Sequence, residues 1–270
     1  MSVYRNDDPG YLEKALRSIY EEQTKKPDEI VVVFDGPLTE ELYGVLDSFA
    51  ADKQGTVKYY PQEVNRGLGE ALRIGTLYCT CDYIFRMDSD DISLPERFEI
   101  QSKYIEEHPD VDVLGTDIAE FQNDINETQQ RVRSCPEKHE DIVKMCKHRS
   151  PMNHVTVCMK RSALNRCGGY EAMSLIEDYY LWVKMISHGC VLANLQQTLV
   201  CVRVGNGFNS KRGSKDRIEG WRKLQKVMLE NKMINRFESM ANMIMIRAFI
   251  NVPPNMRAVL YEKFLRKNGE

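Results

Sequence analysis

Strand-like runs alternate with helical patterns in the first 119 residues, and this alternation limits the possible folds of the chain. Residues 29–34 are apolar and rich in β-branched side chains, which is typical of a strand buried on both faces of a parallel sheet. Patterns with a helical period lie on either side, at residues 10–23 and 42–49. Because parallel strands need helical crossovers, we expect a doubly wound, mainly parallel α/β sheet flanked by helices.

The alternation continues to residue 119, and the C-terminal part is mainly helical. Further strands are predicted at residues 2–4, 57–60, just before Asp88, at 155–159 and at 191–204. Further helices are predicted at residues 65–78, after Pro95, and at 140–147, 177–187, 215–230, 236–251 and 254–267. Residues 120–136 indicate loop or edge structure. The strand at residues 2–4 is very short for a central strand, which suggests that the chain has lost residues there.

Three carboxylates follow the strand that ends before Asp88: Asp88, Asp90 and Asp91. Such crowded groups repel one another, and the pKa of one member rises unless a cation or a set of donors compensates. Mg²⁺ and Mn²⁺ prefer oxygen ligands and, when held by one or two carboxylates, typically also contact a substrate phosphate. Asp-x-Asp also occurs by chance in loops. Its position after an apolar strand favours a ligand site, because open α/β sheets bind ligands beyond the carboxyl ends of their strands.

The composition is typical of a globular protein without a membrane span or an export signal. Hydrophobic residues make up 42% of the chain and charged residues 29%. No apolar run approaches the roughly 18 residues of a membrane span, and the first residues do not resemble a signal peptide. The eight cysteines lack paired zinc spacing, and Cys79 and Cys81 are one residue too close for a Cys-x-x-Cys motif. We therefore expect reduced thiols and a cytoplasmic location.

Charge is distributed unevenly along the chain. From residue 203 onward, 15 Lys and Arg stand against 6 Asp and Glu, a balance of +9, whereas the first 202 residues carry −12. The basic part either faces an anionic partner or forms only solvated helix faces. The apolar residues between Met240 and Phe249 either pack as helix core or seat the C-terminal helices peripherally on an anionic membrane surface. No nucleic-acid partner is expected.

Four stretches occur in an order that is typical of one enzyme family. They are VFDGP at residues 33–37, NRGLGEAL at 65–72, RMDSDDISLPERF at 86–98 and EDYYLW at 177–182. Together they resemble the inverting family 2 glycosyltransferases of the GT-A fold, a Rossmann-like, mainly parallel sheet flanked by helices. The resemblance implies a nucleotide-sugar-binding and catalytic domain at residues 1–205 and a C-terminal helical extension at residues 206–270.

The resemblance also implies a reaction. A sugar would pass from a UDP-sugar to a carbohydrate acceptor, with Mn²⁺ or Mg²⁺ as the cofactor. The implied setting is bacterial surface-polysaccharide or lipooligosaccharide assembly, with a lipid-linked acceptor at the cytoplasmic face of the membrane. Two other functions remain open. One is a non-catalytic nucleotide-sugar binding module, against which the presence of Asp178 argues. The other is a sugar-nucleotide pyrophosphorylase, which would need a glycine-rich, basic phosphate loop near the N-terminus.

Roles for individual residues follow from the same resemblance. Asp178 would be the general base, and Asp88 and Asp90 would bind the metal ion. Nucleotide contacts are implied for Tyr4, Asp35, Asn65, Gly67, Arg73 and Asp88. The diphosphate would be met by a polar loop that contains Arg203, Lys211 and Arg212. Contacts with the donor or acceptor sugar are implied for Asp91, His154, Gly169, Tyr170, Glu177 and Trp182.

Some of these residues have plainer explanations. Glu177 and Asp178 also match an ordinary acidic helix cap, and His154 matches a hydrogen-bonded structural histidine. The basic residues of the polar loop match simple surface charge. The sequence also departs from the family pattern, which often has two acids after the second strand, because Phe34 stands at the first of these positions.

Overall fold

A computed structural model gives the fold of the 270-residue chain. It describes residues 1–53, 55–122, 125, 131–173, 175–204 and 216–252. The predicted helix at residues 254–267 and the polar loop at residues 205–214 lie outside these ranges, apart from the loop's flanks. All eight cysteines are described and are free thiols, as predicted.

The N-terminal part forms a three-stranded parallel sheet in the order β1-β2-β3. Its strands are β1 (Ser2–Val3), β2 (Ile30–Phe34) and β3 (Val57–Pro61). The helices that connect and follow them are α1 (Pro9–Ser18), α2 (Glu40–Ala50) and α3 (Leu68–Tyr78). Every residue of β2 is buried, which is the burial expected for a central parallel strand.

A second, six-stranded sheet has the order β4-β8-β6-β9-β5, with β7 paired to β6. Its strands are β4 (Tyr83–Phe85), β5 (Ile92–Ser93), β6 (Val113–Phe121), β7 (Arg131–Arg133), β8 (Cys158–Lys160) and β9 (Leu192–Arg203). The remaining helices are α4 (Arg97–Glu107), α5 (His139–Cys146), α6 (Arg161–Arg166), α7 (Glu177–Ser187), α8 (Asp216–Glu230) and α9 (Arg236–Asn251). The predicted α/β class with helices at the C-terminus is confirmed.

The strand directions are more mixed than the alternation predicted. β6 and β9 pair in parallel, but β4 pairs with β8 and β5 with β9 in antiparallel directions. The first helix ends at Ser18 rather than at residue 23, and Val155 and Thr156 lie in a 3-10 turn rather than in a strand. Periodicity shows which residues are buried, whereas strand direction depends on partners distant in sequence.

Two hydrophobic clusters form most of the core. One packs the β2 side chains against α1 and α2, with Leu12, Leu16 and Leu46 fully buried. The other surrounds α7, whose Trp182 and Met185 are fully buried, and extends to α8 and α9. Since α7 is embedded in this cluster, its N-terminal residues have fixed positions relative to the second sheet.

A cleft of about 520 Å³ lies between the two sheets, where β1 and β4 are not paired with each other. Its lining is mainly apolar, and Arg86 and Tyr170 also reach it. The ammonium group of Met1 donates to the carbonyl oxygen of Val31 at 2.9 Å, and burial lowers its pKa to about 6. Because Arg86 and Tyr170 line the cleft, it lies next to the predicted site after β4.

Candidate active site

The carboxylates after β4 are held by different partners. The Asp88 carboxylate forms an ion pair with the guanidinium group of Arg86. Asp91 is 2% exposed and accepts a hydrogen bond from the backbone N–H of Arg203 at 2.9 Å. Asp90 is exposed. Asp91 is thus buried and held by a hydrogen bond, whereas Asp90 lies at the surface of the site.

Crowding among these carboxylates changes their affinity for protons. Loss of hydration, followed by repulsion from Asp88 and Asp7, raises the pKa of Asp90 to about 6. Burial, followed by Asp88 and Asp90, raises the pKa of Asp91 well above its usual value. Negative charge is therefore concentrated at this end of the second sheet, as the sequence predicted.

Asp35 follows β2 and binds the start of α3. Its two carboxylate oxygens accept the backbone N–H groups of Arg66 at 2.7 Å and Gly67 at 2.9 Å. Gly36 permits this approach: its φ is +86°, and a Cβ there would lie 2.8 Å from the Asn65 nitrogen. Each carboxylate oxygen has a further lone pair, so the nucleobase contact stays a prediction for Asp35, as do the nucleotide contacts of Asn65 and Gly67.

The N-terminus of α7 carries the other pair of acids. Burial, followed by Asp178, raises the pKa of Glu177 to about 7, and the charges of Arg86 and Asp88 also act on this carboxyl group. Asp178 accepts a hydrogen bond from the Ser150 hydroxyl at 3.2 Å. The pKa of the Tyr170 hydroxyl is raised mainly by burial, and the negative charges of Asp178 and Asp88 both raise it further. Acids that are 90 residues apart in the chain therefore converge on one region.

An aromatic group lies beside these acids. Nε2 of His154 lies 2.8 Å from the Tyr170 hydroxyl, and the His154 ring meets the Trp182 ring edge-on at 5.9 Å between centroids. Desolvation, followed by Arg86, lowers the pKa of His154 well below its usual value, so the imidazole is neutral. Tyr170 and Trp182 are buried, at 1% and 0% exposure. Their rings are packed in the core beside the acids, and the sugar contacts of Tyr170 and Trp182 stay predictions.

Arg203 is anchored next to the carboxylates rather than being a free surface charge. Its side chain donates to the backbone oxygens of Asp90 and Gln122, both at 3.3 Å, and its guanidinium carbon lies 3.8 Å from the centre of the Tyr11 ring. Lys211 and Arg212, predicted to act with it, lie outside the described residues. The role of Arg203 at a diphosphate stays a prediction.

For three other predicted residues, the structure shows local hydrogen bonds or local backbone geometry. The guanidinium group of Arg73 forms two hydrogen bonds with Glu70, one turn earlier in α3. The backbone N–H of Tyr4 donates to Asp7 at 3.1 Å. Gly169 has a φ of +67° in the loop that leads to Tyr170, a conformation that favours glycine. The nucleotide contacts of Arg73 and Tyr4 and the sugar contact of Gly169 stay predictions.

Three residues of this region were given no role in the sequence analysis. Asp7 accepts a hydrogen bond from the Ser89 hydroxyl at 2.8 Å, which brings a further carboxylate near Asp90. The guanidinium group of Arg86 forms an ion pair with the Asp88 carboxylate, and the Ser150 hydroxyl donates a hydrogen bond to Asp178. Arg86 had a detectable signal, because it is a charged residue inside an otherwise apolar strand pattern. Asp7 and Ser150 had none, since their contacts join segments distant in sequence.

The acids suit a metal ion that is completed by a ligand. In the part of the chain that the structure describes, no group of three or more His, Cys, Asp and Glu side chains could hold a metal ion. Mg²⁺ and Mn²⁺, however, are commonly held by one or two carboxylates together with substrate phosphates. Asp88 and Asp90 provide two crowded carboxylates. The pKa of Asp90 is raised first by desolvation and then by the negative charge of Asp88, and a cation would offset that charge. The donor set fits such an ion.

The sequence profile described as "Glycosyl transferase family 2" matches residues 1–168. The chain belongs to glycosyltransferase family 2. An uncharacterized glycosyltransferase of Haemophilus influenzae (strain ATCC 51907 / DSM 11121 / KW20 / Rd) is 38% identical over 267 residues, which are 99% of this chain and 98% of the relative. The UDP-Gal:alpha-D-GlcNAc-diphosphoundecaprenol beta-1,3-galactosyltransferase of Escherichia coli is 34% identical, over 99% of this chain and 95% of the relative. This family 2 chain is accordingly a glycosyltransferase.

A solved structure has the same fold. The chain resembles S. aureus TarS 1-349, crystallised in complex with UDP-GlcNAc, with a TM-score of 0.70 and 17% sequence identity. The match covers 98% of this family 2 chain and 75% of the TarS fragment. The GT-A fold predicted from the four sequence stretches is thereby confirmed.

Proposed function

We propose that this family 2 glycosyltransferase moves a sugar from a UDP-sugar to a carbohydrate acceptor with inversion, and that Asp178 is the general base. The observation that carries the proposal is the convergence of the Asp88 group and the N-terminus of α7. Arg86, the ion-pair partner of Asp88, lines one cleft together with Tyr170. Asp88 and Asp178 both act electrostatically on the Tyr170 hydroxyl. Inverting transfer needs negative charge to be stabilised on one side of the sugar and a proton to be accepted on the other.

The donor side of the proposed site is the edge with Asp35, Asp88 and Asp90. A divalent ion bound by Asp88 and Asp90 would supply Lewis-acid stabilisation of the departing diphosphate. Asp35 would accept the imide N–H of uracil with the lone pairs that Arg66 and Gly67 leave open. Arg203, anchored at the carbonyl oxygen of Asp90, would add positive charge beside the diphosphate.

The acceptor side is the N-terminus of α7. Asp178 lies in the first turn of this helix, at the positive end of the helix dipole. The Ser150 hydroxyl orients its Oδ2 atom. An ionised, oriented carboxylate can accept the proton of an attacking hydroxyl group, and general-base catalysis of this kind contributes roughly 10² to 10⁴ in rate.

A UDP-release assay over a panel of UDP-sugars with Mn²⁺ or Mg²⁺ tests this proposal. We expect Asp178→Asn to bind UDP with the metal ion but to lose transfer by about 10² or more, because the amide cannot accept the proton. Asp141→Asn is a matched control, since Asp141 also lies in the first turn of a helix but is exposed and pairs with Lys144. It should transfer like the wild type.

The outcomes separate the competing functions. Equal turnover by wild type and Asp178→Asn would remove Asp178 from the mechanism. UDP binding without turnover of any donor and acceptor pair would favour a non-catalytic nucleotide-sugar binding module.

We further propose a lipid-linked acceptor, reached by peripheral contact with the cytoplasmic face of a membrane. The name of the E. coli relative gives a lipid diphosphate as that enzyme's acceptor. In this chain α9 exposes an apolar stripe formed by Phe237, Met240 and Ile244, which are 80%, 58% and 59% exposed. These residues are three and four positions apart, so they share one face of the helix. Of the residues for which the sequence left core packing or membrane contact open, Ile246 is 6% exposed and packs in the core, whereas Met240 and Ile244 belong to the stripe.

No helix in the described ranges is long and apolar enough to span a bilayer. Vesicle flotation therefore tests surface contact. The full chain should float with vesicles rich in anionic lipid, and the triple variant Phe237→Ser, Met240→Ser, Ile244→Ser should not. Equal flotation of both proteins would dismiss the α9 stripe as a membrane contact.

A further inference from the structure

Arg86 is a buried cation beneath the carboxylates of the candidate site. It follows β4 directly and is 5% exposed. Its backbone is fixed on both sides: its N–H donates to the Val157 oxygen at 2.9 Å, and its oxygen accepts from Nη2 of Arg97 at 2.8 Å. These two hydrogen bonds fix the position of the Arg86 backbone, and thereby of its Cα–Cβ bond.

The guanidinium group of Arg86 contacts Asp88 and acts on acids from two separate elements. Nη1 forms the ion pair with Asp88, and the positive charge of Arg86 opposes the raised pKa of Asp90, Asp91 and Glu177. Burial intensifies such interactions because little water screens them. Arg86 also lines the same cleft as Tyr170, which precedes α7 in the chain.

Arg97, the neighbouring buried arginine, has a different position. Its donors are used within the core, on Gln101, the Met87 sulfur, and the backbone oxygens of Arg86 and Val155. In Arg86, by contrast, the buried Nε makes no hydrogen bond with any described residue, and Nη1 meets Asp88 as an ion pair. The side chain of Arg86 is thus committed to Asp88 rather than to the surrounding backbone.

We infer that Arg86 is a positioning residue, which holds the Asp88 carboxylate in place for the nucleotide and its divalent ion. The inference rests on the proposed function, because it concerns the ligand of that same site. A carboxylate that loses its paired cation turns towards other donors, and it then no longer presents the same oxygen atoms to a metal ion. Arg86 acts through Asp88, so its contribution should disappear when Asp88 is changed.

A double-mutant cycle on the full chain tests this dependence. Arg86→Met, Asp88→Asn and the double variant are compared with wild type for binding of UDP by calorimetry and of Mn²⁺ by the electron paramagnetic resonance signal of the free ion. We expect Arg86→Met to weaken UDP–Mn²⁺ binding at least about tenfold in the wild-type background and less than about threefold in the Asp88→Asn background. Arg222→Met, an exposed arginine on α8 that pairs with Glu219, is the control and should bind like wild type.

Arg86→Lys separates positioning from general support of the fold. Lysine keeps the buried positive charge but lacks the planar guanidinium group. We therefore expect the UDP–Mn²⁺ affinity of Arg86→Lys to lie between those of wild type and Arg86→Met. If Arg86→Met does not fold, the cycle is run with Arg86→Lys, whose smaller loss should likewise vanish with Asp88→Asn. Equal losses in both Asp88 backgrounds would overturn the positioning role while leaving the proposed function intact. Absence of UDP binding by the wild type would overturn both.

Discussion

Glu177 has a carboxyl group whose ionisation the fold opposes. Its pKa of about 7 results from burial first and from Asp178 second. In an unfolded chain the same group titrates near 4.5. Between these two values the folded protein binds the proton more tightly than the unfolded chain does. The stabilising effect of the proton is therefore present at low pH and is lost as the pH rises through about 7.

Replacement of Glu177 by Gln should make this contribution visible. The variant lacks the ionisation, so its free energy of unfolding relative to wild type should increase between about pH 5 and about pH 8. Urea denaturation at both pH values measures the difference. Asp141→Asn, at an exposed site, should show no such increase. A constant difference between Glu177→Gln and wild type across this range would contradict the assignment of the raised pKa.

At the scale of elements, the start of α3 depends on a residue from another strand. Gly67, at the N-cap position of α3, supplies no side-chain hydrogen bond, and the backbone N–H groups of Gly67 and of the preceding Arg66 donate to Asp35. In α2, by contrast, the local N-cap residue Thr39 accepts from the Leu42 N–H at 3.4 Å. Helix α2 thus begins with a local N-cap, whereas the two residues that lead into α3 are held by Asp35 at the carboxyl end of β2.

This difference predicts different effects of two alanine substitutions. Thr39→Ala should cost about 0.5 to 2 kcal/mol of stability because it removes a helix N-cap. Asp35→Ala should cost about 1 to 3 kcal/mol because it removes the charged acceptor of two backbone N–H groups. Only Asp35→Ala should also weaken UDP binding, because it removes the proposed uracil contact and frees the loop before α3. Thermal denaturation and calorimetry with UDP measure the two effects. Equal UDP affinity in both variants would exclude Asp35 from the nucleotide site.

At the scale of the whole molecule, the proposed site joins the two sheets. Asp35 follows β2 of the first sheet, Asp88 follows β4 of the second, and Asp178 begins a helix embedded in the α7 core cluster. Among the described strands β1 and β4 are not paired, so the sheets are not joined there by backbone hydrogen bonds. A ligand that contacts both sides should stabilise their arrangement.

UDP with Mn²⁺ should therefore raise the melting temperature of the full chain. A ligand present at about 100 times its Kd stabilises the folded state by about 2.7 kcal/mol. Removal of the metal ion with a chelator should abolish most of the shift, because the crowded carboxylates and the diphosphate then repel each other. Differential scanning calorimetry with UDP alone, Mn²⁺ alone and both measures the coupling. An equal shift by UDP in the presence and absence of chelator would exclude a metal ion from nucleotide binding.

The sequence by itself determined the alternation of strands and helices, the helix at residues 177–187 and the clustering of acids after β4. These features depend on local periodicity and on the order of motifs, which are visible without coordinates. Only the tertiary structure decided that β4 pairs antiparallel with β8, that Trp182 is buried and that Arg86 neutralises Asp88. Strand pairing, burial and ion pairs depend on residues that meet only in the folded chain. Their partners lie far apart in sequence or on faces that periodicity alone does not orient.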